Sequence, residues 1–228
     1  KAYAQAIKEA LFSRVKMRHI FNMGYPVAIQ MGLEASTFSF SAIMVGWISV
    51  TALAAHQVAI TISQLFFLMM QGLSFALSIL VSNCYGIKDY AGIHAYVKRG
   101  ILMIFGTSLS LSILLYIFRY SAVGMFTDSP EVAEIAVVLF YVLFAYQIGD
   151  GIQLCFANVL RGLQDVKPIM YAAFVSYYLI AIPVAYVLGF KAGLGAVGVW
   201  LGFPIGLTLA GLFFYARYRS DMRRLTAE

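Results

Sequence analysis

Charge is scarce in this chain. Only 11% of its residues are Asp, Glu, Lys or Arg and just ten are acidic, against roughly 25% charged in an average soluble domain. So little charge cannot solvate a globular surface. Cysteine is scarcer still: Cys84 and Cys155 are the two present, and neither sits at a metal-ligand spacing, which excludes a disulfide framework and a zinc ribbon. Both are expected toward the cytoplasmic side as reduced thiols. No phosphate-binding loop, catalytic triad or zinc motif occurs, and no repeat of roughly 20–50 residues stands out, so the pattern is not that of an enzyme or a solenoid. The alternation of an outer-membrane barrel strand is missing too.

What is present is apolar length. The chain is 62% hydrophobic and 15% aromatic, with mean hydropathy +0.84. Six unbroken apolar runs, near 23–48, 52–82, 100–118, 134–158, 168–190 and 195–216, each reach the ~20 residues that a spanning helix needs. They leave no room for a soluble domain and predict an all-α integral membrane protein. Residues 1–22 read as a basic, loosely amphipathic cytoplasmic linker and 217–228 as a cytoplasmic basic tail. The linker has no signal-peptide core or cleavage site and no initiator methionine, so the sequence reads as cut from something longer.

The sixteen basic residues set an orientation. With both ends cytoplasmic, fourteen fall on inner segments and only Arg119 and Lys191 on outer loops, a strong positive-inside bias. The net charge of +6 therefore reads as topology in a multi-pass plasma-membrane protein, and not as a nucleic-acid footprint.

Two carboxylates interrupt the apolar runs. Asp150 lies in Tyr146-Gln147-Ile148-Gly149-Asp150-Gly151-Ile152-Gln153, and Glu34 lies in the run from Gly24 to Trp47. An acid at bilayer centre costs about 2.5–3.5 kcal/mol on insertion scales, and such residues usually face a polar interior that handles ions or protons. On a helix, Gln30, Thr37, Phe38 and Ser41 share the Glu34 face, while Tyr146 and Gln153 flank Asp150 by one turn. Counted from Arg18 and Arg161, the depths of the two acids differ by roughly 8 Å or less. No basic residue is expected deep in a span to balance them. The balancing charge is then a proton, or a hard cation such as sodium held by carboxylate, hydroxyl and amide oxygens. Glu34 and Asp150 are the candidate sodium ligands, with Tyr146 beside them in the cation-coupling role. Gln30, Thr37, Ser41, Gln153, Gln57 and Met69 are candidate lining residues for cation or substrate.

Other features read as structure. His56 reads as a hydrogen-bonded or interfacial residue, and Phe66 to Met70 as packing, although its methionines could line an adaptable pocket. Pro26 is expected in the first turn of the first span, and Pro183 is expected to kink the fifth. Residues 83–99 read as a cytoplasmic loop, and Ser129-Pro130-Glu131 as a helix start. Gly193-Leu194-Gly195-Ala196-Val197-Gly198 matches G-x-G-x-x-G but follows no strand, so a dinucleotide site is rejected. Gly198, Gly202 and Gly206, four apart, read as a face for close helix packing.

Gly24-Tyr25-Pro26 with Glu34, Leu53-Ala54-Ala55-His56-Gln57-Val58-Ala59, the Asp150 segment followed by Leu160-Arg161-Gly162, and Gly195-Ala196-Val197-Gly198-Val199-Trp200-Leu201-Gly202 occur in an order and spacing that resemble the C-terminal half of a multidrug and toxic compound extrusion (MATE) transporter of the NorM type. The resemblance covers essentially the whole chain. It implies one six-helix lobe of a twelve-helix protein that exports cationic drugs in exchange for sodium or protons by alternating access, with no cofactor beyond the coupling ion. Family cation-site roles map onto Glu34, Asp150 and Tyr146. The implied partners are cationic small molecules, membrane lipids and a missing N-terminal six-helix lobe or a second copy. Two other readings are a lipid-linked oligosaccharide flippase of related fold, for which no span supplies a basic cavity, and a non-transporting membrane scaffold whose acids only join helices.

Overall fold

The computed structural model describes residues 13–227. Among them six helices are long and apolar enough to cross a membrane: α1 (Arg14–Ile48), α2 (Val50–Gly86), α3 (Tyr90–Gly124), α4 (Pro130–Gly162), α5 (Lys167–Lys191) and α6 (Gly195–Leu225). They form one multi-pass lobe. The helices run past the apolar stretches at several ends, because a helix satisfies its own backbone whether or not its side chains are in lipid.

α1 opens at Ser13, whose hydroxyl accepts from the Lys16 backbone N–H at 3.4 Å. Residues 14–22, expected in a separate linker, are thus the first turns of the spanning helix; residues 1–12 lie outside the described part. It also corrects the placement of Pro26, which sits inside α1 and is buried, not in its first turn. A proline in a helix interior removes one backbone bond, and packing against neighbouring helices makes this tolerable in a membrane protein. A single residue separates α1 from α2: Ser49 is extended, its N–H reaches the Val45 carbonyl, and its hydroxyl accepts from the Ala52 N–H at 2.9 Å.

The loop expected over 83–99 shrinks to 87–89, with Lys98 and Arg99 already on α3. The overlooked signal was Asp89, which caps α3 by accepting from the Gly92 N–H at 2.8 Å. The predicted start of α4 is observed: Pro130 is at the first turn with Glu131 in it, although the Ser129 side chain makes no cap bond and Thr127 instead accepts from the Ser129 N–H at 3.1 Å.

In α5 the expected kink takes another form. Two π-helical stretches, Val175–Ala181 and Val187–Lys191, bracket a short α segment that opens at Ile182-Pro183. The Ile182 N–H reaches back to the Tyr177 carbonyl, five residues earlier. Widened turns on both sides absorb the bond that Pro183 cannot make, and π-turns of this kind are frequent at functional sites.

α4 is the axis of the lobe. It packs against α2, α3 and α6, and α6 in turn packs along α5 and touches α1. Leu139, Leu143, Val159 and Leu160 of α4 are fully buried, whereas Leu65, Leu68, Leu102 and Ile117 point outward from the lobe. Cys84 and Cys155 are both buried and unbridged. The tail expected from 217 is helical to Leu225, and Arg217 Nε donates to Asp165 Oδ2 in the α4–α5 turn at 2.5 Å.

His56 is a structural residue. It is completely buried, and its Nδ1 accepts from Trp200 Nε1 at 2.9 Å, joining α2 to α6. An unpaired buried polar group costs about 1–3 kcal/mol. Trp200→Phe removes the donor together with the five-membered ring of a completely buried indole, so it is expected to lower stability by at least that amount in thermal unfolding of the detergent-solubilised protein. Unchanged melting would refute the role given to this bond.

Candidate functional site

The α-helical period carries the site. On α4, Tyr146, Asp150, Gln153 and Arg161 recur near one face, and the close approach of α6 behind it is fixed by Gly149. A side chain there would meet the Thr208 hydroxyl at 2.8 Å and the Pro204 carbonyl at 3.3 Å, so α4 can carry its acid into the packed centre only with glycine at this position.

Asp150 is fully buried, and both carboxylate oxygens lack a hydrogen-bond partner. A buried charge without partners is among the costliest features a fold can hold. Glu34, on α1, lies within Coulombic range of Asp150 and is only partly buried. Its Oε2 accepts from Gln30 Nε2 at 2.9 Å. The Gln30 Oε1 accepts from Arg161 Nη2 at 2.6 Å, and Arg161 Nη1 donates to Asn158 Oδ1 at 3.2 Å. This corrects the expectation that no basic residue balances the acids, for Arg161 reaches Glu34 through one amide. The signal was available: Arg161 is eleven residues, about three turns, beyond Asp150.

Tyr146 is buried among Phe38, Phe203 and Trp200, with ring centroids at 6.4, 6.1 and 6.4 Å. Tyr177, which sequence reasoning did not select, is buried with an unpartnered hydroxyl within Coulombic range of Glu34, Asp150 and Tyr146. It lies in the first π-helical stretch of α5. No linear spacing relates it to the acids, so only the packing of α5 against α6 and α1 could reveal it. Beside it, Glu34, Thr37 and Phe38 close a void of about 10 Å³, near the size that admits one water. A wider groove of about 380 Å³ between α1 and α2 is lined by Met31, Phe38, Gln64 and Phe67 and reaches both Glu34 and Tyr146.

Gln30 is in the network, Gln153 lies beside Glu34 with its Oε1 unpartnered, and Thr37 lines the small void although its hydroxyl donates to the Leu33 carbonyl. Ser41 is buried and bonds the Phe38 carbonyl of its own helix. Gln57 and Met69 are exposed and line neither cavity that holds Glu34. Two carboxylates, two phenol hydroxyls and amide oxygens form a hard, all-oxygen donor set, suited to an alkali cation or a proton. Among the described residues no group of three or more His, Cys, Asp or Glu forms a metal cage.

The described residues thus form a six-span helical lobe round a buried acid with no hydrogen-bond partner. The MatE family model matches residues 26–187, and the chain belongs to that family. It is 33% identical over 216 residues to the probable multidrug resistance protein NorM of Bradyrhizobium diazoefficiens, covering 92% of this chain and 46% of that protein. It is 31% identical over 225 residues to the probable NorM of Acinetobacter baylyi, covering 97% and 50%. The chain thus spans about half the length of the curated relatives it matches. Among solved structures, the fold superposes on the outward-facing conformation of a multidrug resistance MATE family transporter with a TM-score of 0.87 at 16% identity, covering 95% of this chain and 49% of that one. It superposes on the eukaryotic MATE transporter AtDTX14 with a TM-score of 0.82 at 20% identity, covering 92% and 48%.

Proposed function

We propose that this chain is one lobe of a secondary antiporter, acting with a second six-helix lobe, that exports cationic drugs in exchange for sodium or protons. The observation that carries the reading is Asp150: completely buried, with no partner on either oxygen, and close to a second acid. Such a pair attracts one positive charge strongly and can give it up only to another cation or to water. The groove between α1 and α2 brings an amphipathic cation to the same two residues, Glu34 and Tyr146, so coupling ion and drug compete for overlapping ground. Competition of this kind yields exchange when the lobes alternate between inward and outward forms with one of the two ligands bound. With both ends on the cytoplasmic side, as the basic residues suggest, export would proceed outward through the plasma membrane.

The flippase reading needs a basic cavity, and no observation favours it. The test is transport by the complete gene product in liposomes loaded with a fluorescent cationic dye. Imposing an inward-directed sodium or proton gradient should accelerate dye export. Export that is indifferent to both gradients would refute antiport.

A further inference from the structure

Gln30 sits between two groups of opposite hydrogen-bonding character. Arg161 can only donate, and an ionised Glu34 can only accept, so one orientation of the Gln30 amide serves both: oxygen toward Arg161 at 2.6 Å, nitrogen toward Glu34 Oε2 at 2.9 Å. Gln30 is 1% exposed, which keeps water from replacing either bond. Asp150 has no such connection. The two acids are therefore electrically unequal, one linked to a fixed positive charge and the other bare.

Resting on the cation-site reading above, we infer that Arg161, relayed by Gln30, is a positioning residue and internal counter-charge that weakens cation binding at the Glu34–Asp150 pair, so that the bound cation stays exchangeable. The guanidinium holds one oxygen of Glu34 through the amide, leaving the other oxygen and Asp150 for the incoming ion. Its charge also opposes that ion. Two hydrogen bonds and an amide place it on the order of 7 Å from the carboxylate, and a unit charge at that range, at an effective dielectric of about 20, changes a binding constant roughly ten- to fiftyfold. Arg161 Nη1 is anchored on Asn158, whose Nδ2 donates to the Leu154 carbonyl at 2.9 Å, so the charge is held in place.

The experiment is sodium binding to the complete, detergent-purified gene product, read by calorimetry and by the rise in melting temperature when sodium chloride replaces choline chloride at constant ionic strength. Arg161→Gln is expected to tighten sodium binding roughly tenfold, while Arg161→Lys, which keeps the charge, stays near the parent value. Gln30→Met, which cuts the relay without adding charge, should tighten binding by a smaller factor, and it serves where Arg161→Gln does not fold. A merely structural role for Arg161 would lower stability in all three variants without tightening any of them. Unchanged or weaker sodium binding in folded Arg161→Gln or Gln30→Met overturns this inference and leaves the cation site standing. No sodium response in the parent protein overturns the sodium site, and this inference with it.

Discussion

Asp150→Asn removes cation-coupled export while leaving the protein as stable as before. A cation about 4 Å from a carboxylate, at an effective dielectric of about 20, gains on the order of 4 kcal/mol. The neutral amide forfeits most of that, and even after desolvation offsets part of it, a loss of at least about tenfold in coupled transport is expected, since each ~1.4 kcal/mol is a factor of ten. Stability does not follow transport. Both Asp150 oxygens are buried and unpartnered, a carboxyl so placed neutralises by taking up a proton when no cation is bound, and the isosteric amide then replaces one neutral polar group by another, so the melting temperature measured without sodium should stay level. Dye export driven by a sodium or proton gradient, paired with thermal unfolding, checks both halves. Loss of stability together with loss of transport would mean that Asp150 only joins helices, as in a scaffold. Full export by the variant would remove Asp150 from the mechanism.

The largest effect on folding is expected at Gly198. A side chain there would press on the Leu188 carbonyl and stand 2.7 Å from the Gly189 nitrogen, both backbone atoms of the second π-helical stretch of α5. Backbone cannot rotate away as a side chain can. Helices in lipid associate through close approach of small residues, and overpacking such a contact costs about 1–3 kcal/mol or more. Gly198→Ala should reach the upper end of that range, and Gly198→Leu should not yield folded protein. Gly24→Ala is the control, since nothing lies within 4 Å of a side chain there. The measurement is folded yield by size-exclusion chromatography and melting temperature. Equal behaviour of Gly198→Ala and Gly24→Ala would refute the account of how α5 and α6 meet.

Much of the molecule is legible without coordinates because lipid imposes a simple rule: every spanning segment must satisfy its own backbone, so long apolar runs become helices. The six spans follow from that rule, as does the close-packing face of Gly198, Gly202 and Gly206 against α5. Helix ends were less legible. Pro26 reads as a start yet lies inside α1, and 83–99 reads as a loop yet is mostly helix, because polar residues do not stop a helix that continues beyond the lipid.

The site divides along the same line. Glu34 and Asp150 stand out in sequence because charge in an apolar run is expensive, and that cost needs no partner to be noticed. Partners are another matter. Arg161 looks like a loop cation and Tyr177 like one aromatic among many, and both gain their roles only where α4, α5 and α1 converge. Gln57 and Met69 lie on outward faces of α2, away from both cavities that hold Glu34. The amino-acid sequence by itself determined the class, the number of spans and the two acids, since each depends on the solvent that a segment must meet. Tertiary structure alone decided that Glu34 is tied through Gln30 to a positive charge and that Asp150 is bare, because a hydrogen bond between separate helices is set by packing and has no linear period.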